Sequence, residues 1–377
     1  MKIGQSAVGI VFERLIQKLS ALHEVDVLTA DYEPSLDLSS VSEIIFSKKI
    51  NLHQRAKVFF ISLLGVDPTD RLWAWKSKRL IDAKKGDDYD IILSFLSFQY
   101  YATAIAGSFI AKNSSAKFAI HSLDAIPAPG GWLKNGRYYR SLKKMMAKYL
   151  KNADAFFATN QQMLEYQLNT FTAKKHLITN VIYNPGQEKV KDLALPASGI
   201  NNFVYTGGIY GLRKSIYILK AFEKLLEIYP ESKLIFVGTQ LPTNSLTVIK
   251  PETQAKIEIV PFTLDLDPYY QCATALIDID ADIENDVFMS SKVTTYVMIN
   301  RIIICETSTN SPAWHLFKNI DSIILSNHDS DDFCEAMKKS IVINKSVSFT
   351  DREEIRTQFQ LENIVYKLNN SLKKIIA

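Results

Sequence analysis

The chain has 377 residues, too many for one ordinary core and suited to two domains. Its 47% hydrophobic and 22% charged residues are those of a soluble globular protein, and no run of 18 or more apolar residues offers a membrane span. Three scattered cysteines, Cys272, Cys305 and Cys334, match no metal spacing. With no signal-peptide core at the N-terminus, they make a cytoplasmic, reducing setting the expectation. The net charge of +4 is unevenly spread: residues 1–190 hold 25 Lys and Arg against 17 Asp and Glu, so an anionic partner surface is expected on the N-terminal half.

In chain order, a short strand from Met1 to Ile3 precedes Gly4 and Gly9, either of which suits a tight turn. An amphipathic helix follows, with Ile10, Val11, Leu15, Ile16 and Leu19 on one face, and then a strand from Val25 to Thr29. Residues 36–88 are the least regular, although Leu52 to Leu64 reads as a helix. Arg71 to Arg79 interleaves Trp73 and Trp75 with basic residues, which suits an anionic membrane interface. The competing reading is an ordinary amphipathic helix whose tryptophans face the core. A turn at 85–88 leads to the apolar strand Asp90 to Ser94, then to a helix from Ala102 to Ala111.

The next strand, Lys117 to Ile120, ends in His121 and Asp124. In open α/β sheets ligands bind just outside the carboxyl ends of strands, so both are candidates, though a strand-end histidine can also simply cap a loop. Beyond the loop Pro127 to Trp132, a helix carries Lys134, Arg137, Arg140, Lys143, Lys144, Lys148 and Lys151 between apolar residues. It reads either as a solvated face or as a contact for lipid. Ala153 to Thr159 is a strand, and Val181 to Gly186 closes a first domain of residues 1–186. Residues 187–200 have the Lys, Asp, Pro and Ser character of a linker.

The second domain, 201–350, is organised by Asn202 to Gly238. Phe203-Val204-Tyr205 is a buried strand, Thr206-Gly207-Gly208 a tight turn, and Arg213-Lys214 a basic pair at the mouth of a helix. That helix has Ile216, Leu219, Phe222, Leu225, Leu226 and Tyr229 on one face, and Pro230 stops it before a strand from Leu234 to Val237. This βαβ unit suits an anion, since glycines admit backbone N–H donors, the helix start adds its dipole and a guanidinium forks onto phosphate; the competing reading is a plain strand-to-helix turn beside a solvated basic pair. Ile257 to Phe262 is a strand reaching a turn. Ser290-Ser291-Lys292 opens a helix that ends near Ile299, with Asn300 at a left-handed cap, and Ile302 to Ile304 is a strand. Phe333 to Val342 is a helix, and Arg352 to Ile375 is amphipathic.

These stretches resemble GT-B-fold glycosyltransferases, in particular the retaining family 4. The likeness rests on the strand, glycine, Arg-Lys loop and helix of 202–238, and on His23 to Thr29. It also rests on Ala153 to Thr159, Ile182 to Gly186, and Ser290 to Ile304, the last similar to the pattern PSKxxEYxxxGxPII. It implies two Rossmann-like α/β domains of parallel sheet facing each other across a cleft, with a terminal segment 351–377 crossing back to the N-terminal domain. It also implies retaining transfer from a nucleotide diphosphate sugar to a saccharide or lipid-linked acceptor, in surface polysaccharide synthesis at the inner face of the cell membrane. No metal, no other cofactor and no nucleic acid are expected to take part.

The resemblance assigns catalytic roles to His121, Arg213 and Lys214, and an acceptor contact to Asp124. Donor contacts are expected from Gly9, Gly207, Gly208, Pro261, Phe262, Ser291, Lys292 and Thr295, with the nucleotide base against the 261–262 loop. Two positions depart from the pattern. Thr295 stands where that family has the ribose-binding Glu, and Val287, flanked by Glu284 and Asp286, stands at its other Glu. Those departures favour a second reading, a non-catalytic GT-B partner subunit of another glycosyltransferase; a nucleotide-sugar epimerase on the same fold is a third.

Overall fold

The computed structural model describes all residues except 1, 4–6, 33–37, 86–88, 98–100, 113, 134–135, 172–175, 195, 197–198, 243 and 345, and describes only the backbone of 2–3, 7–8, 31–32 and 84–85. Gly4, Lys134 and most of the turn at 85–88 therefore lie outside the described residues. The chain forms two compact units, Met1–Pro185 with Leu361–Ala377, and Gly186–Gln360.

The first unit contains β1 (Lys2–Ile3), α1 (Ala7–Ser20), β2 (Asp26–Thr29), β3 (Asp31–Tyr32), β4 (Glu43–Phe46), α2 (Gln54–Leu64) and α3 (Pro68–Lys85). It continues with β5 (Ile91–Leu96), α4 (Ala102–Ala111), β6 (Lys117–Ser122), α5 (Gly136–Leu150), β7 (Ala155–Ala158), α6 (Gln161–Thr170) and β8 (Ile178–Val181). β5 to β8 form a parallel sheet in that order, and β1–β3 and β2–β4 are two further parallel pairs. β7 is buried along its whole length, as a parallel strand covered on both faces must be.

The two tryptophans of α3 part company. Trp73 is buried, and its indole N–H donates to the Ser47 carbonyl at 2.5 Å. Trp75 is 47% exposed, with the Arg79 guanidinium 4.8 Å over its ring. Trp73 thus belongs to the core. The helix winds it inward because it also buries Ala74, Ser77 and Ile81 against the rest of the unit.

In the second unit β9 (Asn202–Thr206), α7 (Ile216–Leu226), β10 (Lys233–Val237), α8 (Pro251–Gln254), β11 (Ile257–Val260), α9 (Asp267–Cys272) and β12 (Ala275–Ile279) are followed by α10 (Ser291–Val297), β13 (Ile302–Glu306), α11 (Pro312–Phe317), β14 (Ile323–Ser326), α12 (Ser330–Ile343) and α13 (Glu353–Phe359). Six parallel strands run in the order β11-β10-β9-β12-β13-β14. This is the doubly wound order in which the connections reverse direction between the first and fourth strands, here β9 and β12. Ligands bind outside the carboxyl ends at such a switch point. α7 covers the sheet with Ile218, Leu219, Phe222 and Leu225, each fully buried against Phe203, Tyr205 and Phe236. A side chain of this size contributes about 1.5–3 kcal/mol when fully buried.

The described part of 187–200 is fastened to this unit. Lys191 bridges to Ile299, and the buried Arg301 guanidinium donates to the carbonyls of Leu193 and Ala194. α10 stops at Val297, short of the expected end near Ile299. Asn300 is not left-handed either; among the described non-glycine residues only Asn244 has a positive φ. Its amide instead donates to Asp192 and accepts from Arg356, so a side-chain clasp stands where a left-handed asparagine cap was expected.

The chain ends in α14 (Leu361–Ile376), which lies in the first unit. Its Ile364, Val365, Leu368 and Leu372 pack with Leu15 and Leu19 of α1 and with Ala119 and Phe157 of the sheet.

Candidate functional site

The loop leaving β9 is shaped by glycine. Gly207 has φ of +91°, a conformation that side chains resist. Its N–H donates to Val237 O at 2.7 Å and its carbonyl accepts from Thr239, so this peptide is spent within the sheet. Gly208 is exposed, and its carbonyl accepts from the Tyr205 hydroxyl at 2.8 Å. The expectation that both glycines would bare backbone donors is therefore corrected for Gly207. The loop then runs along the segment after β12, with Arg213 bridging to Ala281, and α7 opens at Ile216 without a side-chain cap.

That docking splits the basic pair. Lys214 is half exposed and donates to Asp282 at 2.6 Å. Arg213 turns inward: its side chain is 7% exposed, with Nη2 3.9 Å from Asp280 Oδ1 and the guanidinium 4.9 Å over the Tyr210 ring. From α10 comes Lys292, whose Nζ is 3.8 Å from Asp278 Oδ1 and 4.9 Å over the Tyr205 ring. Its stem passes Gly207, where an added Cβ would meet Lys292 Cδ at 3.6 Å. Neither cation is within hydrogen-bonding reach of its carboxylate, and Arg213 Nε has no acceptor among the described residues. Two cations with unspent donors thus stand at the carboxyl ends of β9 and β12, the switch point of the sheet.

The carboxylates beside them were not picked out from the sequence as a site. Asp278, Asp280, Asp286 and Glu306 are each at most 2% exposed. Asp280 accepts from Ala281 N–H at 3.0 Å and from the Thr307 hydroxyl at 3.3 Å. Burial, with Asp286 and Asp278 beside it, pushes the Asp280 carboxyl up to about 7 despite Arg213. Burial likewise lifts Glu306 to about 7, against its 2.8 Å hydrogen bond with His328. Burial pushes the Lys292 ammonium down to about 8, against the pull of Asp278. The signal available was the acidic run Asp278 to Asp286 at a strand's carboxyl end, which reads equally well as solvated loop.

The other expected residues are placed as follows. Pro261 and Phe262 follow β11 and are exposed, Phe262 by 77%, with Phe262 Cα close against Gly238. Ser291 is the first residue of α10 and exposed, and Thr295 in the same helix is half-buried. Val287 is buried, and the buried carboxylate is one residue earlier, at Asp286.

In the first unit Gly9 lies within the first turn of α1 and so is not a loop glycine. His121 is a residue of β6, fully buried, with Nε2 3.2 Å from the Ile182 carbonyl and Nδ1 unpartnered. Burial pushes its pKa down to about 4, so it is a neutral imidazole donating to that carbonyl. Asp124 is half-buried just beyond the same strand.

The first unit has a cationic region of a different kind. α2 and α5 contain no acidic residue, and α5 exposes Arg137, Arg140, Lys143, Lys144 and Lys148. Arg140, Lys143 and Lys144 have no ion-pair partner among the described residues. Between the last turn of α2 and the start of α5 is a cavity of about 390 Å³ lined by Ser62, Leu64, Gly65, Arg137, Arg140 and Lys144. Alongside it α2 leaves Phe59, Leu63 and Leu64 each more than half exposed.

Residues 8–185 match the model of Glycosyltransferase Family 4. A comparison with curated proteins finds no matching sequence. Among solved structures, sucrose-phosphate synthase from Thermosynechococcus elongatus is similar with a TM-score of 0.70 and 14% identity, over 98% of this chain and 94% of that one. Anabaena HepE, solved with UDP and glucose, gives 0.68 and 13%, over 99% of this chain and 97% of that one. The lipopolysaccharide outer core galactosyltransferase WaaB gives 0.64 and 12%, over 99% and 97%. By these likenesses the chain has the GT-B fold, and residues 8–185, just under half of it, match the Glycosyltransferase Family 4 model.

Proposed function

We propose that the protein transfers a sugar from a nucleotide diphosphate sugar to a saccharide or lipid-linked saccharide acceptor with retention, in surface polysaccharide synthesis. The observation that carries this reading is the pair Arg213 and Lys292, their side chains only 7% and 17% exposed at the sheet's switch point and their donors unspent. A diphosphate offers oxygens to both, and its negative charge grows as the sugar bond breaks, so cations fixed there favour the transition state over the ground state. A front-face route, in which the leaving phosphate takes the acceptor proton, needs neither a protein nucleophile nor a metal. The exposed Phe262 ring offers a platform for the base. Within the first unit, His121, whose Nδ1 is unpartnered among the described residues, is proposed to meet a sugar hydroxyl and Asp124 the acceptor. HepE, with UDP and glucose bound, is the precedent for a donor of this chemistry on this fold.

Calorimetric titration with UDP, GDP and ADP tests the donor site; an absence of binding by all three would overturn the reading. The partner-subunit reading draws on Thr295 and Val287, and a hydrolysis assay across nucleotide sugars separates it from a transferase. The buried Asp286 carboxylate beside Val287 favours the transferase.

We also propose a cytoplasmic protein in peripheral contact with an anionic membrane through the α2–α5 face. Unpaired cations attract lipid phosphates there, and Phe59, Leu63 and Leu64 enter the acyl boundary. Among the described residues no helix is long and apolar enough to cross a membrane. Flotation with phosphatidylglycerol vesicles at low salt tests this, and failure to float would end it.

A further inference from the structure

The buried charges of the second unit do not balance for a second anion. Arg213 and Lys292 bring two positive charges, and Asp280 and Asp278 already stand 3.9 and 3.8 Å from them. Asp286 and Glu306 add two more carboxylates to the same interior, answered by the half-buried His328. A nucleotide sugar brings a diphosphate with two negative charges. Placed on Arg213 and Lys292 it would face four carboxylates in a region with little water, where like charges cost several times what they cost at a surface. One of the carboxylates has to give way.

Asp280 is the best placed to do so. It is 1% exposed, and among the described residues it accepts hydrogen bonds from the Ala281 N–H and the Thr307 hydroxyl. The charged groups that face it are Arg213 from the β9–α7 loop, Asp278 from β12, Asp286 from the loop before α10, Lys292 from α10, and His328 from the start of α12. The Cys305 thiol of β13 also lies within its field. Burial, then Asp286 and Asp278, drive Asp280 toward its neutral form, and Arg213, with the Ala281 N–H, keeps it charged. Once a diphosphate competes for Arg213, that restraint weakens.

We infer that donor capture is coupled to a proton: as the diphosphate takes Arg213, Asp280 releases it and takes one proton from solvent. The neutral carboxyl then has an O–H to donate, to the Thr307 hydroxyl oxygen or to a phosphate oxygen, where the carboxylate could only repel. Asp280 is thus a positioning residue that acts through Arg213. This rests on the donor reading above. It agrees with the carboxyl's position near 7 in the empty site, since the diphosphate's charge moves it further up.

The test is calorimetric titration of the full chain with UDP-glucose, UDP-N-acetylglucosamine and GDP-mannose at pH 8. The diphosphate of these probes keeps its two charges from pH 6 to 9, so any proton exchanged belongs to the protein. Repeating the titration in phosphate and in Tris, which differ widely in ionisation enthalpy, counts that proton. For whichever probe binds, the expected result is uptake approaching one proton and an affinity that falls up to tenfold per pH unit above the empty-site pKa. Asp280→Asn should remove most of the uptake and flatten the pH dependence.

If the wild-type enthalpy is the same in both buffers and the affinity is flat from pH 6 to 9, the coupling is wrong while the donor site stands. If Asp280→Asn binds with undiminished uptake, the proton goes elsewhere and the assignment falls. If none of the three probes, nor UDP, GDP or ADP, binds the wild type, the donor reading fails and this inference with it. The wild-type buffer and pH series decides the coupling itself even if the variant does not fold.

Discussion

The two cationic regions of this molecule are opposite solutions to one problem. On the α2–α5 face, Arg140, Lys143 and Lys144 stand in water with no acid on either helix and no ion-pair partner among the described residues. Water screens them, so carrying them costs little and each is free to meet an external anion. In the second unit, Arg213 and Lys292 are largely withdrawn from water, and Asp278 and Asp280 compensate them from just beyond hydrogen-bonding distance. Removing charge from water demands such compensation, and the compensation then has to be undone for a ligand to bind. A solvated patch therefore suits a weak, salt-sensitive contact, and a buried pair suits a site that changes charge state as it works.

The sharpest way to break this contrast is Arg213→Ala. We expect the rate of transfer to fall by roughly 10²–10³, as for loss of one preorganised transition-state donor, with kcat falling by more than KM rises. Arg213→Lys should recover only part, because an ammonium does not fork across two oxygens. Steady-state kinetics with the identified donor gives both numbers; a change in KM alone would place Arg213 in ground-state binding only.

Next in size is the response to pH, which should differ in sign between the units. Folded Asp280 and Glu306 keep protons until about pH 7 that the unfolded chain releases near 4. Between those values the native state binds more protons, so the second unit loses about 1.4 kcal/mol per pH unit for each such group as pH rises. His121 works the other way: it is neutral when folded down to about pH 4, whereas the unfolded imidazole protonates below about 6.5. The first unit therefore gains stability over that window. Urea unfolding at pH 5 and 7 can follow both. In a Trp314→Phe background Trp73, Trp75 and Trp132 report the first unit, and labelling of Cys305 and Cys334 reports the second. Parallel shifts would refute the opposed signs.

On the α2–α5 face, Arg140→Ala with Lys144→Ala should weaken vesicle partitioning about 30-fold, at roughly 1 kcal/mol for each cation near the lipid surface. Nucleoside diphosphate binding should not change, and flotation beside calorimetry reads both. The smallest effect expected is for Lys214→Ala. Its exposed pairing with Asp282 is of a kind worth about 0.2–1 kcal/mol, so activity should fall several-fold at most. A loss equal to that of Arg213→Ala would mean that Lys214 leaves Asp282 for the ligand.

Much of the fold was legible in the sequence because its signals are local. The run Phe203-Val204-Tyr205, the glycine turn and the periodic apolar residues of α7 define a βαβ unit without reference to anything distant. The site was legible only in part, because burial is decided by tertiary packing. Arg213 and Lys214 are neighbours of like charge, and nothing local says that one turns into the protein and the other out to Asp282. Asp278, Asp280 and Asp286 read as a solvated acidic loop until the sheet order puts them at the switch point. Trp73 and Trp75 showed the same ambiguity, since residues two apart on a helix lie on different faces.

The clasp around Arg301 sets where this protein can be divided. The guanidinium donates to five backbone carbonyls, those of Tyr270, Gln271, Leu193, Ala194 and Asn300. Two of those carbonyls belong to the stretch whose composition reads as a tether. A gene fragment begun at residue 201 would keep every strand of the second sheet and still strand part of a buried cation, while one spanning 186–360 would retain all five acceptors and the Gly186 N–H bond to Phe359. For anyone dissecting the chain, the useful cut lies ahead of the apparent linker.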